Sequence, residues 1–421
     1  MQTSYPVTRQ PKRWPRLAVL LLSSCLMACG GGSSSSGGSS GGDDDGGDTT
    51  PVTLAIRGVD MSMLERVEEA GGTFQQNGTT ADGMALMQAN GANLVRLRLW
   101  VDPQSASGEA YGGGDSDLAR VTRLAKRAEA AGMSWMLDLH YSDFWTDPGK
   151  QVKPKAWANL SDDALVTQVE TYTQQVMAHL IGQGVAPAYV QVGNEINSGM
   201  LWPTGKNWGD GSGGFDMLAK LLQAGVNGVR AAEQDASVAT PAKVILHLAE
   251  GGNNATFRWW FDAITARSVA FDIIGVSYYP YWHGSLTDLK ANLTDISSRY
   301  NKPVLVVETA YAFTLENADS LGNNFGSSTE VTNGGYPATP AGQQQFLKDL
   351  RTTLAAVPNG QALGFVYWEP DWLAVDATWA SDAGMNYIST SGNVGNAWEN
   401  QALFDFNGDA LPALAELAAS R

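Results

Sequence analysis

Two short segments of this 421-residue chain end an apolar run on a carboxylate. One reads Val190-Gln-Val-Gly-Asn-Glu195 and the other Val304-Leu-Val-Val-Glu308. A polar residue at a strand end is ordinary, because loops are wet. An ionisable group at the end of a buried strand is different, since it must be paired or put to use. Two glutamates converging with Asn194 would suit glycoside hydrolysis, in which one carboxylic acid protonates the leaving oxygen and one carboxylate attacks the anomeric carbon. That chemistry requires surroundings that hold the two pKa values apart. Arg96 could pair with Glu308 and keep it ionised. Glu195, beside Val192 and Ile196, could be raised by desolvation. Asn194 could hydrogen-bond a sugar hydroxyl, and Trp368 could lie under the reacting ring.

The elements that must carry these residues are short apolar runs alternating with amphipathic stretches. Strands are predicted at 54–59, 94–99, 134–139, 189–192, 243–248, 271–276, 303–307 and 364–367. Their apolar character suits strands buried on both faces. Helices are predicted at 118–131, 165–181, 215–232, 257–265, 286–300, 343–356 and 411–419. This order points to an α/β fold, a single (β/α)8 TIM barrel. Surplus length falls at 199–212, 311–340 and 371–401, which would be long βα loops at the C-terminal face, where barrel enzymes keep their sites. The residues predicted at that rim are Asp60; Arg96, Arg98 and Trp100; Asp138, His140 and Asp143; Asn194 and Glu195; His247 and Glu250; Tyr278, Tyr279 and Trp282; Glu308; Trp368, Glu369, Asp371 and Trp372. Glu250 and Glu369 read as structural or outer-site groups.

An ordered set of motifs resembles glycoside hydrolase clan A and, within it, family 53, the arabinogalactan endo-β-1,4-galactanases. It comprises RGVDMSMLERVEEAGGTF, GANLVRLRLWVDP, LDLHYSDFWTDPGKQVKPKAW, VQVGNEINSGMLWPTG, FDIIGVSYYPYW, KPVLVVETAY, VYWEPDW and NQALFDFNG. The resemblance implies an endo-acting retaining hydrolase of β-1,4-galactan side chains of pectin, with Glu195 as acid/base and Glu308 as nucleophile. It implies that Arg96, His140 and Asn194 line the reacting subsite, that Tyr279 (Tyr278 less so) bonds the nucleophile, and that Trp368 is a platform. Trp145, Trp202, Trp282 and Trp372 are candidate stacking surfaces. No cofactor is implied for catalysis. Bacterial members carry a structural calcium after strand 7, to which Asn317, Asp319, Leu321, Asn323 and Glu399 correspond here.

The ends and the composition set further bounds. Residues 1–28 read as a lipoprotein signal peptide, with Arg9, Lys12, Arg13 and Arg16 before a short apolar stretch and Leu26-Met27-Ala28-Cys29 at its end. Cys29 would carry the lipid, and 29–51, rich in Gly, Ser and Asp, would be a tether ahead of a catalytic domain at 52–421. Gly30 after the Cys points by resemblance to the outer membrane, facing the periplasm or the cell surface. Both cysteines lie in the leader, which excludes a disulfide in the domain. The net charge of −16 argues against nucleic acid as a partner. A monomer is the default. Two alternatives stay open: a clan A hydrolase of mannan, xylan or glucan, and a non-catalytic surface glycan-binding protein. Against the second, a binder needs none of the proton chemistry of Glu195, Glu308, Arg96 and His140.

Overall fold

The computed structural model describes residues 53–418. The expected signal peptide, Cys29 and tether lie outside the described residues. Eight parallel strands close into a barrel in chain order. They are β1 Ile56–Asp60, β2 Leu94–Leu99, β3 Ser134–Leu139, β4 Tyr189–Val192, β5 Lys243–Leu248, β6 Ile273–Ser277, β7 Val304–Thr309 and β8 Ala362–Trp368. Closure is made by β1, which pairs with both β8 and β2. Helices α1 Gly83–Ala89, α2 Leu118–Ala130, α3 Asp162–Gly182, α4 Gly214–Asp235, α5 Asn254–Thr265, α6 Leu286–Tyr300 and α7 Pro340–Ala355 follow the first seven strands. After β8 the expected terminal helix is a 3-10 segment, Pro412–Leu417. The unforeseen α1 is seven residues long, too short to show a clear 3.6-residue pattern. Ahead of it stands a small hairpin of Phe74–Gln76 and Thr79–Ala81.

Side-chain alternation divides the barrel into two environments. Outward positions such as Val95, Leu97, Leu137, Val190, Leu246, Ile274 and Val306 pack into the main core with the helices. Inward positions near the strand starts form a second apolar cluster, with Ile56, Leu94, Met136, Ile245, Ile273, Leu305 and Val366. Two or four residues further along, the inward positions turn polar: Asp60, Arg96, Arg98, Asp138, Gln191, His247 and Ser277, all buried. An apolar plug therefore supports a polar floor.

Strand β7 breaks the alternation. Its pairing with β6 runs Gly275 to Leu305 and Val276 to Val306, then jumps to Ser277 opposite Glu308. The extra residue, Val307, is a bulge, which re-aims the side chains after it. Strict alternation would place Glu308 with Val304 and Val306 among the helices. The bulge delivers it inward, opposite Ser277.

The β1–β8 seam depends on a glycine. Gly364 has φ +146°, and a Cβ there would stand 1.8 Å from the carbonyl oxygen of Ile56. Gly364→Ala is expected to lower stability by about 3 kcal/mol, read as a lower midpoint in urea unfolding followed by tryptophan fluorescence.

Candidate active site

Arg96, at the centre of the polar floor, is 1 % exposed. Its Nη1 lies 2.8 Å from Asp60 Oδ2, and its Nη2 lies 2.9 Å from both Asp138 Oδ2 and Glu308 Oε1. Nη2 also donates to Asn194 Oδ1 at 2.9 Å, and Nε to Gln191 Oε1 at 3.3 Å. One guanidinium thus ties together β1, β3, β4 and β7. Burial alone would weaken its hold on a proton; Asp138, Glu308 and Asp60 outweigh that and hold it charged. A second buried arginine, Arg98, pairs with Glu369 and donates to the Gly113 carbonyl at 2.7 Å.

The two glutamates have different partners. Glu308 faces Arg96 and accepts the Tyr279 hydroxyl at 3.2 Å. Burial pushes its pKa up to about 7, with Arg96 and the Tyr279 hydroxyl pulling the other way. Glu195 follows β4 in the left-handed region, φ 47° and ψ 52°, a costly conformation for a residue with a side chain. Its Oε1 accepts from Ser277 Oγ at 2.6 Å. Burial pushes its pKa well above the carboxylate range and the charge of Glu308 adds to this, while Ser277 opposes it. The two environments therefore favour an ionised Glu308 beside a protonated Glu195.

The flanking groups are fixed by hydrogen bonds. His140 Nδ1 meets Trp100 Nε1 at 3.3 Å and Thr146 Oγ1 at 3.0 Å, so Nε2 carries the proton toward Asp138 Oδ2 at 3.0 Å. Burial lowers its pKa, against the pull of Asp138. Asn194 Nδ2 donates to the Thr146 carbonyl at 3.0 Å, and its second N–H has no partner among the described residues. Over this floor opens a cavity of about 930 Å³, lined by Arg96, His140, Asn194, Glu195, Tyr279 and Glu308 among others. Its aromatic walls are Trp145, Trp282, Trp368 and Trp398. Trp145 is held by the Arg98 guanidinium 4.2 Å from its ring centre and by its Nε1–H to the Trp379 carbonyl at 2.9 Å. Trp368 meets Trp398 edge to face at 4.6 Å. Such a cavity can hold an apolar-faced, hydroxyl-rich ligand against two carboxyl groups.

The model for glycosyl hydrolase family 53 matches residues 56–417. The arabinogalactan endo-β-1,4-galactanase of Cellvibrio japonicus is 37% identical over 371 residues, covering 87% of this chain and 90% of that one. The endo-β-1,4-galactanase of Bacillus subtilis is 35% identical over 381 residues, covering 85% and 84%. The solved GH53 catalytic domain of Ignisphaera aggregans superposes with a TM-score of 0.79 at 39% identity, covering 88% of this chain and 97% of that chain. The chain belongs to glycosyl hydrolase family 53.

In this family 53 hydrolase the structure brings together most of the residues singled out from sequence and separates three. Tyr278 is buried, gives its hydroxyl to the Gly284 carbonyl and meets Glu308 only through the backbone, N–H to carbonyl at 2.8 Å; the hydroxyl at the Glu308 carboxylate is that of Tyr279. Trp372 is 3 % exposed, bonds the Ala377 carbonyl and stacks on Trp145, so it backs the wall rather than forming it. Trp202 is not among the cavity residues; its Nε1 is tied to the Ser198 carbonyl at 2.9 Å and Lys206 covers its ring at 4.6 Å. Glu369, pushed up to about 8 by burial against the pull of Arg98, is a structural partner of Arg98. Sequence reasoning missed Trp398, which a loop after β8 returns to the cavity. It also missed Ser277, although alternation with Ile273 and Gly275 on β6 was a usable signal.

The expected calcium loop gathers its residues but commits their oxygens elsewhere. Asp319 Oδ1 accepts from the Leu321 N–H and Oδ2 from the Asn396 N–H, both at 2.6 Å. Glu399 Oε1 accepts from the N–H groups of Ala318 and Asp319. Asn317 donates to the Asp319 carbonyl and Asn323 to that of Glu316. Asn323 Oδ1 and Glu399 Oε2 are buried without partners, two oxygens where calcium takes six to eight. Among the described residues no group of three or more His, Cys, Asp or Glu could hold a metal. The structure therefore gives the expected calcium no support: the oxygens of Asp319 and one of Glu399 accept backbone N–H groups.

Removing Arg96 takes the nearest cation from three buried carboxylates, Asp60, Asp138 and Glu308, of which Asp60 keeps Arg98 at 4.0 Å. Arg96→Leu is expected to lose about 3–5 kcal/mol of stability at neutral pH. Unpaired buried carboxylates have raised folded-state pKa values, so their penalty grows as pH rises and fades on acidification. Urea unfolding at pH 7 and pH 4 should show the deficit shrinking at the lower value.

Proposed function

We propose that this enzyme is an endo-acting retaining hydrolase of β-1,4-galactosidic bonds in the (arabino)galactan side chains of pectin, working by double displacement. The observation that carries the mechanism is the asymmetry of the carboxyl pair: Glu308 faces Arg96 and Tyr279, whereas the Glu195 carboxyl has, among the described residues, only the Ser277 hydroxyl. Glu308 attacks the anomeric carbon while Glu195 gives its proton to the departing oxygen. Glu195 then takes a proton from water, which attacks the galactosyl ester and frees Glu308. Asn194 is the group to bind a hydroxyl of the reacting sugar and His140 lines the subsite beside it, with Trp368 as its platform and Trp145 and Trp282 as neighbouring surfaces. The names of the relatives support the substrate.

Reducing-end release from linear β-1,4-galactan, with mannan, xylan and glucan as controls, tests the substrate. Glu308→Ala is expected to lose activity by roughly 10⁴-fold or more. Glu195→Ala is expected to lose galactan cleavage and, on 2,4-dinitrophenyl β-galactobioside, whose leaving group needs no proton, to regain turnover with azide, giving a β-galactobiosyl azide. Cleavage of another polymer in place of galactan would sink the specificity, and an active Glu308→Ala would sink the mechanism.

The pH profile of kcat/KM should be a bell. Its acid limb follows ionisation of the pair at Glu308 and its alkaline limb loss of the proton at Glu195. Both groups are pushed upward, so the optimum is expected near neutrality rather than at pH 4. A titration of initial rates on galactan checks this.

We further propose that Cys29 is lipidated after export and anchors the enzyme to the outer membrane, as the Leu26-Met27-Ala28-Cys29 segment suggests. Cys29→Ser should move activity from the membrane pellet to the soluble fraction of the producing cell.

A further inference from the structure

Behind Glu195 lies a chain of hydrogen bonds that can run in only one direction. His247, on β5, is fully buried. Two N–H groups meet its Nδ1, the backbone amide of Glu195 at 3.3 Å and Gln191 Nε2 at 3.0 Å, and Asn194 Oδ1 stands 3.2 Å from it while accepting from Arg96 Nη2 at 2.9 Å. The backbone amide hydrogen has a fixed direction and can only be donated, so Nδ1 is an acceptor and carries no proton. Burial, with Arg96 nearby, holds the ring neutral. The single ring proton is therefore on Nε2, which lies 2.7 Å from Ser277 Oγ. The serine hydroxyl receives this bond and passes its own hydrogen to Glu195 Oε1 at 2.6 Å. Among the described residues no hydrogen bond ends on Glu195 Oε2.

We propose that His247 and Ser277 form a fixed-direction relay that reserves Oε1 of Glu195 as an acceptor and confines the transferable proton to Oε2. The proposal rests on the reading of Glu195 as the acid/base and adds which of its oxygens acts. In the first step the proton on Oε2 passes to the glycosidic oxygen as the bond to the anomeric carbon breaks, and the new carboxylate keeps its bond from Ser277. In the second, water gives a proton back to Oε2 as its oxygen joins the anomeric carbon. Ser277 and His247 exchange no proton. They are positioning residues, acting through Glu195 by removing the unproductive arrangement with the proton on Oε1. The other groups felt by Glu195 are Glu308 on β7, Arg96 on β2, Asp147 after β3 and Tyr279 after β6. His283 Nδ1 meets the Ser277 carbonyl and the Tyr279 N–H, each at 3.1 Å. None of these is altered by a change at the Ser277 hydroxyl.

The test compares full-length wild type, Ser277→Ala and Ser277→Thr on linear β-1,4-galactan and on 2,4-dinitrophenyl β-galactobioside, whose leaving group departs without a proton. Thermal melts establish that each variant is folded. Ser277→Ala is expected to slow galactan cleavage about ten-fold, to slow dinitrophenolate release far less, and to move the alkaline limb of kcat/KM to higher pH, because the carboxylate loses a donor. Ser277→Thr keeps a hydroxyl and should restore both readouts. His247→Ala, which leaves the serine in place, should move the limb the same way by a smaller amount. A folded Ser277→Ala with an unmoved limb and an unchanged ratio of the two substrates overturns the relay. A limb moving to lower pH in either variant overturns its direction, since the chain would then have stabilised the protonated carboxyl. Glu195→Ala separates the failures: retained galactan cleavage would show that the acid assignment is wrong and take the relay with it. Lost galactan cleavage with azide rescue on the dinitrophenyl substrate, beside a silent Ser277→Ala, would condemn the relay alone.

Discussion

The buried guanidinium of Arg96 is the constraint around which the upper barrel is arranged. A charge with 1 % exposure is tolerable only if every donor finds an acceptor. Its acceptors come from β1, β3, β7 and the residues on and just past β4. Four strands must therefore end at one height for the ion to be fully compensated. Glu308 is one of these acceptors, so the group that orients it also keeps it charged. Gln191 and Asn194 belong to the same cluster and reach His247, so the surroundings of Glu195 hang from the same centre.

Much of this was legible in the chain. The barrel followed from eight apolar runs spaced by helical stretches, and β2, β3, β4 and β5 lie where their patterns placed them. The polar rim could be read because ionisable residues stand out at the ends of apolar strands. The features that could not be read depend on how loops return. Trp202 and Trp372 had the right residue type, but their indoles are tied to local carbonyls. Trp398 had no strand to mark it and reaches the cavity only because of the path taken after β8. The choice between Tyr278 and Tyr279 turned on which side of a single residue step faces the barrel axis. The calcium pattern was real as spacing, yet the loop uses Asp319 and Glu399 to satisfy its own backbone.

A second regularity lies in the backbone just past the strands. Tyr141, Glu195, Glu250 and Glu369 all have positive φ, from 47° to 67°, and each stands within three residues of a strand end. None is a glycine, so each holds the conformation at an energetic cost. The sharp turn lets a strand stop abruptly and still present its next side chain at the mouth. Such strain is sustained where neighbouring contacts determine the geometry several times over, as they do around Glu195 and Glu369.

The bulge at Val307 has a consequence for how such a molecule can change. A barrel of eight similar βα units looks modular, as if one unit could be copied into another's place. Strand β7 is not exchangeable in that sense. It runs one residue out of step with its neighbour β6, and Glu308 owes its inward direction to that surplus. A regular strand of the same composition set into this slot would fold, close the ring and face its glutamate into the helices. The unit that looks most like a plain repeat is thus the one whose length is least free to drift, and its history is written as an offset rather than as a residue.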